Sequence, residues 1–223
     1  MIFSKLLAAA TMATAMCASA AVAQADGLAA GMTGRYVQSR TWLINGLASA
    51  IPFIGYGFSD LQKKIPGSEL FSYISPVEGS MVIQPKVLSE IRAAYRANPD
   101  IQINLIGISY GANLITRMAG KLNREGIPIS YLGVLDGLPL ADVTPNVRRV
   151  DNFTCTYPGC LRDKVRLTRD NDVTIEHAFK FASTHIALGD NKTVHDRILH
   201  QIATYPLDVT GAGYDLAYTA STQ

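Results

Sequence analysis

The chain has 223 residues, 20 Lys+Arg against 18 Asp+Glu, and a hydrophobic fraction of 48%. That length suits one domain with a sizeable core. A formal charge of +2 is too small for a nucleic-acid binder that works by neutralising phosphates, and a charged fraction of 17% beside so much apolar residue excludes a disordered chain.

Residues 1–25, MIFSKLLAAATMATAMCASAAVAQA, place one cation, Lys5, before an apolar run rich in Ala, Thr and Met. The run ends in small-x-small sites at Ala21-Val22-Ala23 and Ala23-Gln24-Ala25. This order of parts is that of a secretory signal peptide. It predicts removal of residues 1–23 and a secreted or periplasmic protein with no stable membrane span afterwards. Met16 before Cys17 suits a lipoprotein cleavage site poorly.

Tyr36–Leu47 carries a strand-like stretch, Trp42-Leu43-Ile44, that ends at Asn45-Gly46. Residues 59–66 read as a short helix capped by Ser59 and stopped by Pro66-Gly67, and Phe71–Ser75 alternates as a second strand would. Ser80–Asn98 reads as a helix with Pro85 near its start and Val87, Leu88, Ile91, Ala94 and Tyr95 on one face. Ile101–Ile108 is a strand rich in β-branched residues. Gly111–Arg124 follows as a helix with Leu114, Ile115, Met118 and Leu122 on its inner stripe. Pro128–Leu135 is strand-like and ends at Asp136-Gly137; Val147–Thr156 and Asp172–Phe179 are further strands. Thr193–Thr204 closes the series as a helix, with Val194, Ile198 and Ile202 inward and His195 and His200 on a solvated face beside Asp196 and Arg197. The Gly-, Thr- and Ser-rich tail 205–223 is peripheral. Strands alternating with helices predict an α/β fold on a mainly parallel sheet with right-handed crossovers.

Gly107-Ile108-Ser109-Tyr110-Gly111 is a G-x-S-x-G sequence at the end of a β-rich run and the start of a helical one. That strand–turn–helix context is what a nucleophile elbow requires, and it makes Ser109 the candidate nucleophile. A serine hydroxyl needs a base. Of the four histidines, His177 falls inside the last strand-like run, and His185 follows it in a loop that reaches the C-terminal edge of the sheet; His185 is the candidate base. Asp136, ending an apolar strand, is the candidate acid that fixes the imidazole tautomer, with Asp170 and Asp172 as competitors. The candidate oxyanion donors are the backbone N–H groups of Tyr110 and of Leu47, with Gly46 next. Cys155 and Cys160, in CTYPGC, are the two cysteines left after the leader, and an even count in an exported protein suggests a disulfide. No second Cys/His pair stands at zinc-ligand spacing.

Over Thr41 to Thr204 the sequence resembles the α/β-hydrolase superfamily. WLINGLAS resembles its strand and oxyanion loop, LIGISYGANLI its elbow, VLDGLP its acid-bearing turn, and THIALGDNKTVHDRILHQI its terminal His segment and closing helix. More narrowly, it is similar to small exported bacterial lipase-, esterase- or thioesterase-like proteins. The resemblance implies a minimal version of the fold, with about six strands, helices on both faces and no large cap. It also implies a domain over 24–204 and cleavage of an ester or thioester by acyl transfer through Ser109, His185 and Asp136, without metal or organic cofactor. The implied partner is a small-molecule or lipid-like acyl substrate met by a monomer; apolar Ile51, Phe53, Leu138 and Leu140 stand in the loops that shape such a pocket. Asn45 stands where many relatives carry His. Two other readings use the same residues: a non-catalytic binding protein on this fold, and an amidase or peptidase.

Overall fold

Six parallel strands organise the residues that the computed structural model describes, 38–51 and 57–203. They are β1 (Ser39–Ile44), β2 (Glu69–Phe71), β3 (Gln102–Ile108), β4 (Tyr131–Leu135), β5 (Arg149–Cys155) and β6 (Ile175–Phe181), in the spatial order β2-β1-β3-β4-β5-β6. Every residue of β3 and β4 is buried, because a parallel sheet is covered on both faces; its central strands therefore read as mostly apolar runs, interrupted in β3 by Gln102 and Asn104.

The covering helices are α1 (Ser59–Lys64), α2 (Pro76–Glu78), α3 (Gln84–Ala97), α4 (Tyr110–Asn123) and α5 (Lys192–Ala203). Val87, Leu88 and Ile91 of α3 and Leu114, Ile115 and Met118 of α4 join Trp42, Leu105 and Val134 in one core layer. Leu61 of α1 and Val194 and Ile198 of α5 join Leu43, Ile106, Leu135 and Phe153 in the other. Side chains alternate across a strand, so Leu105 and Ile106 serve opposite layers. Truncating either, for example Ile106→Ala, costs about 2–5 kcal/mol. Among the described residues no helix is long and apolar enough to cross a membrane. The leader 1–23, the tail 205–223 and Phe53 lie outside the described residues.

The structure departs from the sequence expectations at four places, each for a local reason. The strand at 71–75 is shorter: β2 stops at Phe71, since Ser75 accepts the Glu78 N–H at 3.1 Å and Pro76 opens a helix. The helix expected to begin at Ser80 therefore begins at Pro76. It passes through a π-turn, Gly79–Ile83, closed by Gln84 N–H on Gly79 O, just ahead of Pro85, which has no N–H to give the α ladder. The last strand is displaced to Ile175–Phe181. Finally, His195 and Arg197 are buried rather than solvated, because each reaches a polar partner beneath the sheet or its connecting turn; His200 is exposed as expected.

Candidate active site

Ser109 joins β3 to α4 with φ +59° and ψ −125°, a region that non-glycine residues enter only at a cost of about 1–3 kcal/mol. The flanking glycines make that turn possible. A Cβ on Gly107 would lie 2.5 Å from Gly111 O, and one on Gly111 would lie 2.1 Å from Ile44 O, so helix α4 meets the strand pair backbone to backbone. The Ser109 N–H donates to Leu135 O at 2.9 Å. It is therefore spent on the neighbouring strand and is not an oxyanion donor.

Ile108 pairs with Leu135, which sets Ser109 and Asp136 at the same level on adjacent strand ends. Asp136 is fully buried and its Oδ2 lies 2.7 Å from His185 Nδ1. A carboxylate only accepts, so Nδ1 carries a proton and donates it. Two more donors complete the acid: Leu161 N–H to Oδ2 and Arg162 N–H to Oδ1, each at 2.9 Å. Burial opposes the charge on Asp136, but the His185 bond and the two amides outweigh it and hold the carboxyl below its ordinary range. Among the described residues no hydrogen bond links His185 to the Ser109 hydroxyl; Asp136 and His185 are joined, and Ser109 stands at the next strand end. Asp170 and Asp172 precede β6 and so lie at the opposite end of this parallel sheet.

His185 leads into a 3₁₀ turn, Ala187–Asp190. Thr184 Oγ1 accepts the Ala187 N–H at 3.2 Å, and His195 of α5 holds Gly189 O through Nε2 at 2.7 Å. His185 thus sits on a turn fastened to a buried helix face.

On the other side of Ser109, a Cβ on Gly46 would lie 2.9 Å from Ser109 Cβ and 3.4 Å from its Oγ, so the 45–47 loop runs directly beside that side chain. The Leu47 N–H has no hydrogen-bond partner among the described residues. Tyr110 N–H, in the first turn of α4, is one of the amides that a helix leaves without an internal acceptor. Asn45, 1% exposed, fixes this loop: Nδ2 donates to Ser72 Oγ, Oδ1 accepts the Phe58 N–H, both at 2.9 Å, and its own N–H reaches Phe71 O at 3.0 Å. The Tyr110 hydroxyl is tied to Ser80 Oγ at 2.9 Å. Sequence reasoning noted Asn45 only as a departure and did not find Leu161, Arg162 or Ser80.

Around these groups the loops expose apolar side chains: Leu47 at 42%, Leu138 at 48% and Ile186 at 61%. Leu140, expected in the same role, is instead buried in the core. The loop after the acid is held by Asn113 Nδ2 on Pro139 O and by Thr116 Oγ1, which accepts the Ala141 N–H at 3.1 Å. Cys155 and Cys160 are joined in a disulfide, Cα–Cα 5.6 Å.

No protein-family model and no curated protein matches the chain. Solved structures do. The thioesterase domain SrfTE, described as cyclising the lipopeptide antibiotic surfactin, superposes with a TM-score of 0.50 at 13% identity, over 75% of this chain and 93% of that one. The type II thioesterase BorB of the borrelidin biosynthetic cluster matches at 0.49 and 14%, over 75% and 92%. The SrfTE match, with the all-parallel six-stranded sheet, shows that this chain has the α/β-hydrolase fold.

Proposed function

We propose that this protein is an exported serine hydrolase that cleaves an ester or thioester by acyl transfer. The observation that carries the reading is the bond from His185 to the buried Asp136 at the strand end next to the left-handed turn at Ser109. His185 Nε2 takes the proton as Ser109 Oγ attacks the acyl carbon, Asp136 stabilises the resulting imidazolium, and the Leu47 and Tyr110 amides hold the oxyanion. The proton then passes from His185 to the leaving group, and water repeats the sequence to free the acid. The exposed Leu47, Leu138 and Ile186 favour an apolar acyl group, and thioesters are included because neighbours of this fold are thioesterases. The reading needs no metal or organic cofactor and no partner beyond the substrate. It places catalysis in 24–204, with 1–23 removed on export to a secreted or periplasmic location and 205–223 as a tail.

Labelling with a fluorophosphonate probe tests it. Mature protein is expected to be labelled at Ser109, and Ser109→Ala to lose both label and turnover of nitrophenyl esters while its circular dichroism stays unchanged. Absence of label on folded wild-type protein would make it a binding protein instead.

A further inference from the structure

The acid is not held by side chains alone. Cys160-Leu161-Arg162 delivers two successive backbone N–H groups to the two oxygens of one carboxylate, a concave pair of amides of the kind that binds anions. Arg162, at φ +60°, gives the turn that makes them converge. The segment is fastened just before this pair by the Cys155–Cys160 disulfide. It is fastened just after it by Asp163, whose Oδ2 accepts the Leu140 N–H at 3.0 Å. Packing contributes little to the pair itself: Leu161 and Arg162 are exposed, and the chain rejoins the core only at Val165. Beside the segment lies a cavity of about 490 Å³ lined by Thr154, Cys155, Arg162, Lys164 and Lys180 among others. The disulfide is the covalent one among the ties that hold the amide pair.

We propose that the Cys155–Cys160 disulfide and the Leu161–Arg162 amides it fastens are the positioning element of the catalytic acid, so that reduction of the bond by a dithiol slows turnover. The inference rests on the triad reading above. In the reduction, one thiolate of the dithiol attacks Cys160 Sγ, the more exposed sulfur. The Cys155–Cys160 bond breaks and Cys155 leaves with the electron pair, then takes a proton. The second thiol of the reductant displaces Cys160, so the protein gains two electrons and two protons and the reductant ends as a cyclic disulfide.

Two consequences reach Asp136. The amide pair loses its tie on one side. Cys155 Sγ, 3.3 Å from Asp136 Oδ2, also changes character. In the disulfide it has no proton; after reduction its buried thiol, kept protonated by its surroundings, donates to the oxygen that His185 uses. A staple that served stability alone would touch neither the Asp136–His185 bond nor kcat.

The test compares mature wild-type protein, oxidised and after dithiothreitol with the reductant removed under nitrogen, at a temperature where both forms keep their near-ultraviolet circular dichroism. Thiol titration must count none and then two. The reduced form is expected to lose about tenfold or more in kcat on a nitrophenyl ester, with KM changed less than about twofold. The low-field proton resonance of the His185–Asp136 bond should shift or broaden, and reoxidation should restore both. An unchanged kcat and resonance with two titrated thiols overturns the proposal and leaves the serine reading standing; oxidised protein that takes no probe removes that reading instead. If the reduced protein unfolds, Arg162→Ala carries the test. It keeps the disulfide and removes the guanidinium ties to Thr156 O and Tyr157 O. It should move the same resonance and lower kcat several-fold; no change in either overturns the proposal.

Discussion

Arg197 grips both oxygens of Asp151, Nε to Oδ2 at 2.9 Å and Nη2 to Oδ1 at 3.2 Å, in a pair that solvent barely reaches. The Tyr131 hydroxyl adds a bond at 3.1 Å, and His177 Nδ1 lies 3.4 Å from Oδ1. Burial works against the Asp151 charge, but His177 and Arg197 outweigh it and keep the carboxyl below its usual range. This network sews α5 to β4, β5 and β6 on the face below the base. Arg197→Met is expected to leave the carboxylate under-partnered and cost about 3–5 kcal/mol in urea unfolding. A loss within the range of exposed ion pairs, about 1 kcal/mol or less, would show that the site relaxes to admit water.

His195 contributes a pH dependence of stability near neutrality. Burial first, and then Lys64 at 3.2 Å from Nδ1, depress its pKa; Gly189 O, Asp190 and Asp60 pull the other way. The unfolded chain takes up this proton at about pH 6.5, whereas the folded chain stays neutral to lower pH. The unfolded state therefore binds more protons in that interval, so stability falls as pH drops below about 6.5 and levels once the folded value is passed. His195→Gln should flatten that part of a melting-temperature profile. An unchanged slope in the variant would assign it to another group.

Asn45 holds the 45–47 loop through two side-chain bonds. Asn45→Ala strands the Ser72 hydroxyl and the Phe58 N–H and should destabilise the fold by about 1–3 kcal/mol. If the loop supplies an oxyanion donor, kcat should fall by about tenfold or more with KM little changed. Steady-state kinetics on a nitrophenyl ester decide this, and loss of stability with intact kcat would place the donor elsewhere.

The two competing acids separate cleanly. Asp136→Asn keeps the shape of the bond to His185 but favours the wrong tautomer, with an expected loss of up to ~10⁴ in kcat. Asp172→Asn, at the far end of the sheet, should change kcat by less than about tenfold. The reverse order would move the acid to the connection before β6.

The elbow was legible because its glycines answer a steric demand: the close approaches at Gly107 and Gly111 leave no room for another residue, and that demand has a sequence signature. The strand-end position of Asp136 was legible for a similar reason, since an apolar run marks where β4 stops; β6 has no such run, and its end lies two residues beyond the expected one. The amides of Leu161 and Arg162 were not, because a backbone N–H carries no residue identity and only the folded turn aims it. Arg197 and His195 were misjudged for a different reason. Charged and polar residues beside an apolar helical stripe read outward by default, and the partner that draws Arg197 inward, Asp151, lies on a strand whose own pattern does not announce it. The π-turn escaped because Pro85 reads as a helix start, whereas the chain had already entered the helix at Pro76.

An all-parallel sheet has no hairpins. Each pairing, such as Ile44 with Gly107, closes a long loop before any contact repays its entropy, a topology associated with slow folding. From β1 through β6 the spatial order then follows the order of synthesis, so the chain delivers the Gly46 loop, Ser109, Asp136, the Leu161–Arg162 amides and His185 in sequence from one side of the sheet to the other. A nascent chain holds Ser109 after three strands and His185 only after all six, so the groups that the proposed chemistry needs come together last.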